Sequence, residues 1–155
     1  MTTLSINQSL QQALYKRMTS IGLINDKSFI ADCILTANGF QDLHIESLGA
    51  WRDKSGRSQA VISMAHYYIQ NGEMMRNPDV VFGINHKTRA IYPLSYRNDS
   101  LGANQDVLKE GSVNTIMEKD IGRFLKIWLT NIEQQGFVDG LSKTSPVGTT
   151  NTKPF

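Results

Sequence analysis

The chain has 155 residues, the size of one ordinary domain, with 16 basic and 14 acidic side chains and a formal net charge of +2. A balance that close carries no argument for a nucleic-acid or membrane partner on charge alone. The single cysteine excludes an internal disulfide and a cysteine-rich metal site, and no apolar run approaches the ~20 residues of a membrane helix. The opening stretch MTTLSINQSLQQALYKRM lacks a basic start followed by an apolar block. A secretory signal is therefore not expected, and the reading is a cytoplasmic protein.

The first element is a helix. Ser5 and Gln8 have capping-box spacing. Leu10, Ala13, Leu14, Arg17, Met18 and Ile21 then repeat every three or four residues as one stripe. Gly22 follows, where a left-handed cap is easiest. Asn25 or Asp26 predicts the cap of a second helix, with Phe29, Ile30, Cys33, Ile34 and Ala37 as its stripe and Gly39 as its end. Cys33 sits inside that stripe with no cation beside it, so it reads as a structural thiol.

The period then changes. DLHIESL alternates, Leu43 and Ile45 on one side and His44 and Glu46 on the other, which predicts a strand with one wet face. RDKSGRS is a loop pivoting on Gly56. AVISMAHYYI is apolar or aromatic at nearly every position and predicts a central strand buried on both faces. NGEMMRNPD is expected to break it, because Asn71-Gly72 is a turn signal and Pro78 cannot donate to a ladder. VVFGI and RAIYPLSY predict a hairpin closed by NHKT, RNDSLG a loop, and NQDVL a short strand.

The last element is a helix of roughly twenty residues. Thr115 and Glu118 have capping-box spacing, and Ile121, Phe124, Leu125, Trp128, Leu129 and Ile132 form the stripe. Gly136 caps it and Phe137 folds back on the last turn. The remainder is rich in Ser, Thr, Gly and Pro and too poor in apolar residues to offset ordering entropy. The expectation is a single α+β domain over 1–138 and a mobile tail over 139–155. Its sheet is an antiparallel meander of about 4–5 strands, covered on one face by two N-terminal helices and one long C-terminal helix.

His66 is the first candidate for chemistry. On a strand, His66, Tyr68 and Gln70 point to one face and line up an imidazole, a phenol and an amide. A catalytic histidine also needs an orienting partner, and Glu73, Asp79 or Asp99 would have to come from adjacent turns. Without one, His66 reads as a core histidine bonded to the backbone. The other histidines, His44 and His86, share no close metal-ligand spacing with it, so no metal is expected. Nucleophile elbows and glycine-rich phosphate loops are absent, so no cofactor is expected either. Arg76, Lys87, Arg89 and Arg97 interleave with Tyr92 and Tyr96, a mixture that could hold single-stranded nucleic acid if it shared one sheet face. The plainer reading is a solvated hairpin with two core tyrosines.

SMAHYYIQNGEMMRNPDVVF, YPLSYRNDSLG and WLTNIEQQGF together resemble, in order and spacing, a family of uncharacterised domains of phages, plasmids and integrative conjugative elements. The residues that carry the resemblance are His66 to Tyr68, Gln70 to Glu73, Asn77 to Asp79, Tyr96 to Gly102 and Gln135 to Phe137, across roughly residues 40 to 138. Glu73 stands where the family usually has aspartate, and Asn77 replaces an aspartate before proline. Both departures argue against an acid-dependent metal site in that turn. The resemblance implies a mobile-element setting and no particular reaction.

Turn and packing requirements explain most of that pattern. They leave over a polar set, His66, Tyr68, Gln70, Asn71, Arg76, Arg97 and Asp99, expected as one cluster at the end of the central strand. The first reading is a small non-enzymatic binding protein that docks on a host or element protein, a host-defence component being one such partner. The alternatives are single-stranded nucleic-acid binding through the 76–97 hairpin, and a small hydrolase-like enzyme using His66.

Overall fold

A computed structural model describes residues 7–50 and 60–141. The chain forms helix α1 (Gln8–Ser20), strands β1 (Cys33–Leu35), β2 (Leu43–Gly49), β3 (Ala60–Gln70), β4 (Glu73–Asn85), β5 (Ala90–Asn98) and β6 (Ala103–Asp106), a small ladder of β7 (Leu108–Lys109) and β8 (Ser112–Val113), and helix α2 (Thr115–Gln135). The first six strands pair in chain order into one antiparallel sheet, so the meander holds. It has six strands where four or five were expected.

The second N-terminal helix is absent. Residues 24–29 instead form a miniature hairpin, with Ile24 bridged to Phe29. Asn25 and Ser28 exchange both backbone hydrogen bonds, at 2.8 and 3.2 Å. Asp26 and Lys27 both adopt left-handed backbone, φ 58° and 63°, which no helix start permits. Asn and Asp suit helix caps and tight turns alike, and here the turn wins. The supposed stripe then becomes β1, pairing Cys33 with Ile45 and Leu35 with Leu43. The Cys33 thiol is half-buried, and burial, aided by Asp32, pushes its pKa up, away from a reactive thiolate.

α1 buries Leu14, Tyr15 and Met18, and Ile21 follows at its end. Its N-cap is Asn7; the Ser5 box lies outside the described residues. Gly22 takes the left-handed position, φ 96°. α2 is capped one residue earlier than expected, by Asn114, whose side chain accepts from the Met117 N–H at 3.0 Å. Glu118 sits buried in the first turns of α2, accepting from Asn7 Nδ2 at 3.0 Å and Gln11 Nε2 at 3.2 Å. That knot joins the first turns of the two helices. Near it the helices approach so closely that a Cβ on Gly122 would lie 2.8 Å from a methyl of Leu10. Gly136, φ 97°, ends α2, and the Phe137 N–H returns to Ile132 O.

Both helices cover the same sheet face. Met64, Val80 and Tyr96 are register partners across β3, β4 and β5, and the Tyr96 ring lies edge-on to Phe124 of α2. This column faces the helices, together with Leu43, Ile45, Ile62, Phe82, Ile84 and Ile91 in one apolar core. The next column, Ala65, Asp79 and Arg97, therefore faces away. β2 splits as its alternation predicts: Leu43 and Ile45 are buried, while His44 is half-exposed and Glu46 exposed.

β3 does not end at a break. Asn71 and Gly72, φ 53° and 82°, make a two-residue hairpin turn between Gln70 and Glu73, and β4 runs on through NGEMMRNPD. Proline is accommodated by a bulge: Ala65 pairs with Asp79 and Tyr67 with Arg76, so Asn77 and Pro78 together oppose His66. The loop around Gly56 and residues 142–155 of the expected tail lie outside the described residues, while Leu141 still packs against the core.

Candidate functional site

On β3 the helix-facing series Ile62, Met64, His66, Tyr68, Gln70 runs out of the core toward the β3–β4 turn. Ile62 and Met64 are covered; His66 and Tyr68 are half-buried and Gln70 is exposed. His66 is thus the point where the core meets solvent. Its ring lies 5.7 Å from Trp128 at 66° and 5.5 Å from Phe137 at 51°. Phe40 continues the line from Phe137, while Phe124 and Tyr96 continue it from Trp128. One chain of rings therefore joins β3, α2, β5 and the two segments flanking them.

The His66 Nδ1 lies 2.9 Å from the Asp42 carbonyl. A carbonyl only accepts, so Nδ1 carries the proton and Nε2 is the unprotonated nitrogen of the neutral ring. Burial lowers the His66 pKa, against the opposing pull of the Asp42 and Gln41 carbonyls. The ring is accordingly neutral at physiological pH. Its described partners are backbone carbonyls and aromatic rings, and the Asp42 carboxylate acts on it through its charge alone.

Outside His66 lies a hollow of about 510 Å³, floored by His66, Phe124 and Trp128. Its rim carries the side-chain amides of Gln41, Asn77, Asn98, Asn131 and Gln135. Asn98 is occupied: it donates to Tyr96 Oη at 3.2 Å and accepts from Ser100 N and Oγ, holding the β5–β6 turn. The other four amides make no side-chain hydrogen bond among the described residues. A second hollow of about 580 Å³ adjoins it, sharing Gln41 and Asn77 and lined by Tyr68, Gln70 and Asp99. Among the described residues no charged side chain lines the first hollow.

The structure brings His66, Tyr68 and Gln70 to one face, with Asp99 at its border. It does not bring Arg97 there. Arg97 belongs to the outward column, binding Asp106 at 2.6 Å and the Gln105 carbonyl at 2.8 Å. Arg97 is in register with Asp79 and Ala65, and His66, the next residue on β3, points to the opposite face, so the expected single cluster is divided by the sheet. Arg76 is likewise closed on itself: its N–H, Nε and Nη2 all donate to Asp99, at 2.8, 3.1 and 2.9 Å. The Arg76 guanidinium holds the Asp99 carboxyl below its ordinary range. Asn71 is committed to the hairpin turn. The basic and aromatic residues of 76–97 do not form one platform, since Arg76 and Arg97 are ion-paired and Tyr96 faces the helices.

The remaining histidines are dispersed. His44 lies edge-on to Tyr67 at 5.0 Å on the outward face, and His86 Nδ1 is 2.8 Å from Tyr15 Oη. Among the described residues no group of three His, Cys, Asp or Glu side chains is placed to hold a metal ion. Sequence reasoning missed the site's other half, Phe40, Gln41, Asn131 and Gln135. One signal was available: Trp128, Asn131 and Gln135 follow helical three-four spacing, a polar lane continuing from an aromatic residue.

Residues 12–138 match the model of a family described as a domain of unknown function, DUF6908, and the chain belongs to that family. The match takes in α1 from residue 12, beyond the stretch that carries the resemblance. No curated protein and no solved structure matches the chain.

Proposed function

We propose that this member of the DUF6908 family is a non-enzymatic binding protein of a mobile genetic element, acting in the cytoplasm by docking on a protein partner through the hollow at His66. The supporting observation is the hollow's chemistry among the described residues: an aromatic floor without charge, ringed by the amides of Gln41, Asn77, Asn131 and Gln135, whose side chains make no hydrogen bond there. Each amide both donates and accepts, so the rim matches a ligand that alternates donors and acceptors without net charge. An extended, uncharged polar peptide segment has that pattern, and its apolar side chains would meet Trp128 and Phe124. The mobile-element setting follows from the resemblance alone, and a host-defence component is one partner of that kind.

The test compares the natural chain with an Asn131→Lys, Gln135→Lys variant in pull-downs from the native host, read by quantitative mass spectrometry. Asn131 is exposed and Gln135 only half-buried, so the fold tolerates both changes. A partner captured by the natural chain and lost from the variant supports the reading, provided a peptide from that partner binds the natural chain calorimetrically. Identical partner lists for the two chains would refute it.

A hydrolase-like reading draws on one observation. With Nδ1 committed to Asp42, Nε2 is left as the basic nitrogen of a ring that lines the hollow. Turnover of a chromogenic ester or phosphodiester that disappears in His66→Gln would favour it.

A further inference from the structure

A different cleft lies at the other end of β4 and β5. It has a volume of about 740 Å³ and is walled by the C-terminal half of α1, the 25–28 turn and the 86–89 turn. Lys16 reaches it from α1, Lys27 from the first turn and Arg89 from the second, against one carboxylate among the described residues, Asp26. Elsewhere, Arg17, Arg76 and Arg97 each have a carboxylate partner. Among the described residues Lys16, Lys27 and Arg89 are in no ion pair.

The backbone places these charges at a cost. Lys27 and Arg89 are left-handed, φ 63° and 57°, where glycine would be the cheaper residue. Both turns are nevertheless well held. Asn25 and Ser28 close the first, and Asn85 Oδ1 accepts from Lys87 N at 2.9 Å and Thr88 N at 3.1 Å in the second. Between them stands the buried Tyr15, its hydroxyl bonded to His86. Both cations act on this pair: burial raises the Tyr15 pKa with Arg89 opposing, and burial lowers the His86 pKa with Lys27 adding to it.

We infer that this cleft binds a small dianionic ligand carrying a phosphate group, held between Lys16, Lys27 and Arg89. Three unpaired cations less one carboxylate leave two positive charges, which a phosphate dianion neutralises. The volume is that of a small-molecule site and exceeds what a lone ion fills. The Tyr15 and Ile24 side chains offer an apolar wall to the rest of a phosphate ester. Lysine and arginine gathered from two turns and a helix around one cleft favour a small molecule over a polymer.

The experiment titrates the full chain at low salt with inorganic phosphate, AMP and, as a dicarboxylate control, succinate. Two-dimensional NMR follows Tyr15, His86 and the amides of residues 86–89. Saturable shifts at these positions with phosphate or AMP are the expected result. A tighter fit for AMP identifies an ester as the ligand, and equal affinity identifies the free ion. The Lys27→Asn, Arg89→Asn variant keeps residues that tolerate left-handed backbone and should lose affinity by about ten-fold or more. The charge-matched Lys109→Gln, Lys126→Gln variant should bind as the natural chain does. The inference is overturned if millimolar phosphate and AMP both fail to shift Tyr15 and His86, if only succinate binds, or if the two variants lose affinity equally.

Discussion

Replacing Trp128 with alanine removes the ring at the centre of the aromatic chain. The side chain is only 6 % exposed, and it touches both His66 and Phe124. Deleting a buried tryptophan costs about 3–5 kcal/mol, of which aromatic pairs supply roughly 0.5–1.5 kcal/mol each. Trp128 lies at the hollow's floor, where water can fill part of the space, so a value near the lower half of that range is expected. Taking about 3.5 kcal/mol and a urea slope near 2 kcal/mol/M, the denaturation midpoint should fall by about 1.7 M. Against a total stability of ~5–15 kcal/mol that change is large enough to populate unfolded chains. Urea denaturation followed by far-UV circular dichroism measures it. A loss under about 1 kcal/mol, the size of a surface effect, would refute the reasoning and mean that the ring contributes little to the core.

Other outcomes follow from the same geometry. His66→Ala leaves the Asp42 carbonyl without its donor and opens the ring chain, and should lower stability by about 1–3 kcal/mol in urea. Because the folded pKa of His66 and of His86 lies below the unfolded value, the unfolded state binds more protons in that window. Stability should therefore be fully present above about pH 6.5 and decline as pH falls through the folded pKa values, and replacing both histidines with glutamine should flatten that slope. Arg76→Gln should let the Asp99 carboxyl return toward its ordinary range, read by carboxyl NMR titration; an unchanged Asp99 would show that the ion pair is not what holds it down. Removing residues 142–155, a Ser-, Thr-, Gly- and Pro-rich stretch, should move the melting temperature by no more than a few degrees, and a large loss would show that the stretch docks.

Much of this architecture is local, and local features were legible. The alternation in DLHIESL assigned Leu43 and Ile45 to the core, the Asn71-Gly72 pair marked a turn though not the strand that follows it at once, and the α2 stripe with its glycine cap marked a long helix. Each depends on residues within a few positions of one another, where periodicity and turn chemistry act directly. The stretch 24–37 was misread for an equally local reason. Asn25 and Asp26 suit a helix cap and a tight turn alike, and a short apolar stripe fits a helix or a buried strand.

What the amino-acid order did not reveal is which polar residues meet. Alternation assigns faces within one strand, but the relation between strands is set by register, and a single bulge shifts it. Register put Arg97 in the column of Ala65 and Asp79, where it met Asp106, while His66, the next residue on β3, met Trp128 and Phe137 on the other face. The amide rim likewise draws on α2, on the segment before β2 and on the β4 bulge, and the basic cleft on α1 and two turns. Those contacts span most of the chain. They form because burying the common apolar face brings the elements together, and no local signal in the sequence records where their edges then fall.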